Sequence, residues 1–191
     1  MKGTGDGADR PLRILLVGER KSGKTTCCLH TAGLLRDQEV RPGGIVCPKL
    51  FDDTGRVTGI EVLNMLRDPP SREILARTDL GLDGPSTGAY HFSPRGLAFG
   101  RAALESGFRH GDVVFADELG PLEMRGEGFS NLLDLARTPS APPMVIVVRT
   151  ELLSDVRREL EPIPVTVVDI NPSNCDKTPS HLLARILRET S

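Results

Sequence analysis

The stretch Gly18-Glu19-Arg20-Lys21-Ser22-Gly23-Lys24-Thr25 matches the pattern GxxxxGK[ST] and lies between an apolar run and a helix-like segment. No other feature constrains the fold as strongly. The glycines let the backbone curl so that successive N–H groups point inward at phosphate oxygens. A helix starting at Gly23-Lys24 aims the positive end of its dipole at the same anion. Lys24 has the reach for β- and γ-phosphates, and the Thr25 hydroxyl is suited to ligate Mg²⁺. Glu19, Ser22 and Thr26 complete the expected nucleotide-contacting stretch, with Arg20 and Lys21 either touching phosphate or solvated. The flanks agree with this reading. Residues 12–17 (LRILLV) read as a strand buried on both faces, and residues 24–36 put Cys28, Leu29, Ala32 and Leu35 on one helical stripe.

Beyond the loop, strand-like and helix-like segments alternate. Residues 43–66 hold two β-prone runs around Asp53-Thr54-Gly55, which predicts a hairpin. Residues 67–92 are rich in Pro, Gly and Asp, and no element is assigned there. Ser93-Pro94 reads as an N-cap with proline at the first helical position, opening a helix to about Gly107. Buried strands are expected over 112–116 and 144–148, and a further strand over 165–168. Helices are expected over 127–137, from a Thr150 cap to Leu160, and after a Thr178-Pro179 cap. Apolar strands alternating with helices imply an α/β fold with a mostly parallel sheet covered on both faces. Residues 1–10 read as a flexible tail and 11–191 as a single domain.

Two acids and one arginine stand at predicted strand ends. Asp117-Glu118 follows the strand 112–116, on the sheet edge where open α/β sheets bind ligands. Asp117 is placed to hold Mg²⁺ or its water shell. Glu118, one residue on, is the candidate general base for an attacking water. Arg149 ends the strand 144–148. If that strand neighbours the phosphate-loop strand, Arg149 points at the γ-phosphate, where it can sense that group or stabilise transition-state charge; the bland reading is a surface ion pair.

Composition narrows the rest. Lys plus Arg is 24 against 26 Asp plus Glu, a net charge of -2, so no basic excess marks a nucleic-acid or membrane-surface binder. No apolar run has the length of a membrane span, and no signal-peptide core opens the chain, which reads as cytoplasmic. Cys27, Cys28, Cys47 and Cys175 form no CxxC pair and read as reduced thiols. His30, His91, His110 and His181 are scattered and are assigned no role. Aromatic residues make up 4 %, so a base is expected to be held by backbone and aliphatic contacts with weak selectivity.

With the loop and the acidic pair in hand, the chain resembles the small P-loop nucleoside-triphosphatases first described from thermophiles, a family with a human cancer-related member. The resemblance rests on residues 18–26 (GERKSGKTT), the hairpin around 43–64, Gly88-Ala89-Tyr90, and residues 117–124 (DELGPLEM) followed by Phe129. It implies a three-layer, RecA-like P-loop NTPase fold with an added β-hairpin. It also implies Mg²⁺-dependent hydrolysis of nucleoside triphosphates, ATP and GTP among them, with broad base tolerance and slow turnover. Gly18, Gly23, Lys24, Thr25, Asp117 and Glu118 match the family's motif positions, and Glu123 matches its second acid, catalytic or in a structural salt bridge. The chain departs at Cys47-Pro48, where the family usually has Thr-Glu, and lacks an Asn-Arg pair near Asn171 and Asn174. Two other readings stay open. One is a nucleotide-dependent regulator acting through a protein partner. The other is a small-molecule or nucleoside kinase with a lid drawn from Arg67, Arg72, Arg77 and Arg95. A switch GTPase is disfavoured because Asn174-Cys175-Asp176-Lys177 has the wrong order for guanine recognition.

Overall fold

The computed structural model describes residues 12–190. The expected tail at 1–10 lies outside them. Five strands run parallel in the order β10 (Val165–Asp169), β1 (Arg13–Gly18), β9 (Met144–Arg149), β8 (Val113–Leu119), β2 (Pro42–Val46). The same sheet then continues antiparallel through β4 (Val57–Asn64), β5 (Ser71–Arg77), β7 (Tyr90–Phe92) and β6 (Ser86–Thr87), with β3 (Lys49–Phe51) paired to β4.

Strand periodicity explains the three layers. Ile14, Leu16, Val113, Phe115, Val145 and Val147 face one side. There they pack with Cys27, Cys28, Ala32 and Leu35 of α1 (Lys24–Arg36) and with Leu182 and Ile186 of α6 (Thr178–Thr190). The alternate residues Leu15, Val17, Val114, Ala116, Ile146 and Val148 face the other side. Their partners are Leu97 and Leu104 of α2 (Pro94–His110), Leu132 and Ala136 of α4 (Leu132–Arg137), and Val156 and Leu160 of α5 (Leu153–Leu160). The central strands β1, β8 and β9 are therefore apolar on both faces, as the unbroken runs demand, while the edge strand β10 is only partly buried. This is the expected three-layer P-loop architecture.

The predicted hairpin is the β3–β4 pair. Asp52 Oδ1 accepts from the amides of Thr54 and Arg56, both at 2.9 Å, and so shapes the turn. The pair belongs to a larger antiparallel wing, because the unassigned stretch 67–92 supplies β5, β6 and β7. Ser93 caps α2 as expected, its Oγ accepting from Gly96 N at 3.1 Å.

Three helix boundaries differ from expectation. Residues 127–137 are not one helix: Gly126 and Gly128 take positive φ (75° and 55°), so the chain turns between α3 (Pro121–Met124) and α4. Thr150 does not cap by side chain but opens a 3₁₀ turn, Thr150–Leu152, ahead of α5. Thr178 lies within α6, and its hydroxyl donates back to Asn174 O at 2.9 Å.

Candidate active site

β1 ends at Gly18, and the loop after it returns to open α1. Gly18 is wedged: a Cβ there would lie 2.3 Å from Ile170 O and 2.6 Å from Ser22 Oγ, so no side chain fits. Gly23 has φ 96°, a left-handed conformation open to glycine, and it provides no side chain to cap the helix. No acidic residue stands in the first turn of α1 either. The helix therefore presents its leading N–H groups and positive dipole end to the loop's concavity.

Lys24 is 8 % exposed and its Nζ donates to two carbonyls of its own loop, Gly18 O at 2.5 Å and Glu19 O at 2.7 Å. Burial lowers its pKa, against the opposing fields of Glu118 and Asp117. Ser22 is 6 % exposed, and its Oγ is buried without a hydrogen-bond partner. The side chains of Glu19, Arg20, Lys21 and Thr26 are exposed.

β8 delivers the acids to the same edge. Its register against β9 shifts between Ala116 and Leu119, where Asp117 and Glu118 stand. Asp117 is 3 % exposed and accepts a hydrogen bond from Cys47 N at 3.3 Å, and the Thr25 side chain lies near enough to favour its charged form. Burial, then the neighbouring Glu118 charge, push its pKa up to about 7. Glu118 is partly exposed. Arg149 holds it through Nε at 2.7 Å and Nη2 at 2.5 Å, both on Oε1. β9 does neighbour β1, and Arg149 is the register partner of Gly18. The structure therefore gathers Gly18, Ser22, Gly23, Lys24, Thr25, Asp117, Glu118 and Arg149 at one end of the parallel strands.

Among the described residues Glu123 makes no salt bridge, and it stands close enough to Glu118 and Arg149 for the charges to act on one another. Its Oε2 accepts from Gly120 N at 2.9 Å and its Oε1 from Phe129 N at 3.0 Å, clamping the chain between α3 and α4. Burial raises its pKa despite these bonds. The motif 117–124 thus joins the strand-borne pair Asp117-Glu118 to a carboxylate, Glu123, that holds main-chain amides.

The loop 170–177 lies beside the phosphate loop, anchored by Ile170 N donating to Val17 O at 2.8 Å. Asn174 accepts from Asn171 N at 2.8 Å and donates to Asp169 O at 3.0 Å, while Asn171 Oδ1 accepts from Ser173 N at 2.9 Å. Both asparagine side chains are thus engaged in shaping their own loop. Three of the four arginines considered for a kinase lid are paired locally: Arg72 with Glu61, Arg77 with Asp79 and Arg95 with Glu73. The Cys47 amide and the Ile170 carbonyl escaped sequence reasoning, since both act through main-chain atoms brought close by strand order. Among the described residues, no group of three or more His, Cys, Asp or Glu is arranged to hold a metal ion. Nor is any helix among them long and apolar enough to cross a membrane.

An "NTPase" family model matches residues 13–183. The chain belongs to this nucleoside-triphosphatase family. It is 29 % identical over 180 residues to the nucleoside-triphosphatase THEP1 of Methanopyrus kandleri, covering 93 % of this chain and 96 % of that protein. It is 31 % identical over 176 residues to THEP1 of Thermofilum pendens, covering 91 % and 94 %. The crystal structure of THEP1 from Aquifex aeolicus superposes with a TM-score of 0.71 at 18 % identity, covering 92 % of this chain and 99 % of that one. The solution structure of a human cancer-related nucleoside triphosphatase gives 0.67 at 19 %, covering 93 % and 96 %. These two share the fold. As a member of the nucleoside-triphosphatase family, the chain has the general capacity to hydrolyse nucleoside triphosphates.

Proposed function

We propose that the chain hydrolyses nucleoside triphosphates, ATP and GTP among them, to diphosphate and phosphate at this sheet edge. The observation that carries the reading is Lys24. Its buried ammonium is bonded to carbonyls of its own loop, beside an uncapped helix end and the unpartnered Ser22 hydroxyl. A phosphate supplies what these groups lack.

The loop's amides and Lys24 bind the β- and γ-phosphates, with Gly18 and Gly23 allowing the close approach. The Thr25 hydroxyl and Asp117 carboxylate are hard oxygen donors close enough for Thr25 to act on the Asp117 carboxyl. That donor set fits Mg²⁺, which takes one or two protein oxygens and fills its shell with phosphate oxygens and water. Mg²⁺ bound there neutralises charge on the transferring phosphoryl group. Glu118 accepts a proton from the attacking water as the new P–O bond forms. The bond to the bridging oxygen breaks, and the diphosphate leaves with that electron pair. Arg149 stabilises the charge that spreads over the γ-phosphoryl oxygens. The engaged Asn171 and Asn174 side chains support weak selection among bases.

Phosphate release from four nucleoside triphosphates, measured for the wild type and for Lys24→Ala, tests this reading. The expected result is turnover with several bases, lost in the variant. Equal turnover in Lys24→Ala overturns the site, and product formation that requires an added acceptor favours a kinase.

A further inference from the structure

Arg149 has two possible partners at this edge and holds only one of them. Both of its recorded side-chain donors, Nε and Nη2, go to the same atom, Glu118 Oε1. Its Cα is registered against Gly18, the first residue of the phosphate loop. The charges of Glu118 and Arg149 are also among those acting on Lys24, so the three side chains share one space. Lys24 and Arg149 bring positive charge to that space, and Asp117, Glu118 and Glu151 bring negative charge. A terminal phosphate adds negative charge and acceptor oxygens spaced for a guanidinium fork, which one carboxylate oxygen does not match.

We propose that Arg149 latches Glu118 before substrate arrives and moves to the terminal phosphate when a triphosphate binds. The move frees the Glu118 carboxylate to take the proton of water. A diphosphate, which places no third phosphate at Arg149, leaves the latch closed. One side chain then both distinguishes tri- from diphosphate and withholds the base until there is something to hydrolyse. The proposal rests on the hydrolytic reading above and extends it.

Calorimetric titration with β,γ-imido-ATP and with ADP, each in magnesium chloride, separates the possibilities. Arg149→Ala is expected to weaken the imido analogue about tenfold or more, as loss of charged hydrogen bonds does, and to change ADP less than about twofold. Arg149→Lys is expected to recover part of that discrimination, keeping the charge without the fork. Glu118→Gln is expected to tighten the analogue relative to ADP, because it weakens the competing partner of Arg149. This opposite sign holds the proposal to account even if Arg149→Ala folds poorly, which a melting curve reports. Parallel weakening of both nucleotides in a folded Arg149→Ala, or a Glu118→Gln protein that loses affinity for the analogue alone, overturns the latch. A wild type that binds neither nucleotide overturns the hydrolytic reading instead.

Discussion

The parallel sheet buries a cation at each end. At the N-terminal end Arg13 is 1 % exposed, and its guanidinium donates to Ala136 O at 2.8 Å, Thr138 O at 3.0 Å, and Leu12 O and Pro142 O at 3.1 Å. At the C-terminal end Lys24 donates to two loop carbonyls. Both cations are paired with main-chain oxygen, and burial lowers both pKa values, that of Arg13 to about 10. They differ in what surrounds them. Arg13 ties the end of α4 and the segment after it to β1, and its planar fork meets a set of fixed acceptors. Lys24 stands beside a bare helix end, an unpaired hydroxyl and two carboxylates. One end of the sheet is finished by its own chain, and the other is the proposed phosphate site.

Exchanging the two losses is the hardest test of that contrast. Lys24→Ala is expected to cut phosphate release by more than about a thousandfold with little change in melting temperature. If stability collapses instead, Lys24 is a second Arg13. Glu118→Gln is expected to lower turnover by about 10²–10⁴ while an equilibrium titration still shows triphosphate bound. Arg13→Met is expected to cost about 2–4 kcal/mol in denaturant unfolding, since it orphans buried carbonyls. Its turnover per folded molecule should match the wild type, and a selective kinetic defect would erase the distinction between the ends. The smallest effect concerns Asp117, whose pKa of about 7 means that acidification protonates a proposed Mg²⁺ ligand. Its ionised fraction falls about tenfold from pH 8 to pH 6. The Mg²⁺ concentration for half-maximal turnover should rise accordingly, and a flat response would remove Asp117 from the metal's contacts.

The reactive end was legible where its constraints are local. The run before Gly18, the glycine spacing and the stripe of α1 each act over a few residues, and α1 spans the expected Lys24–Arg36. Arg149 was legible as a strand end; Asp117 and Glu118 were expected just past one but lie inside β8, which runs on to Leu119, and the mutual geometry of all three needed the strand order. The finished end was silent. Arg13 reads as one charge in an apolar run, and its acceptor Ala136 is 123 residues away. β5 to β7 were hidden because β5 is only partly buried and lacks a clean alternation, leaving cross-strand pairing to define it. Glu123 was legible as an acid but not as a clamp, because its partners are amides, which every sequence position except proline carries.

The Cys47 amide on Asp117 has a consequence for how such a chain diverges. A main-chain donor is indifferent to the side chain that accompanies it, so position 47 can change its residue type while Asp117 keeps its hydrogen bond. Only proline would delete that N–H, and this chain carries its proline one position later, at Pro48.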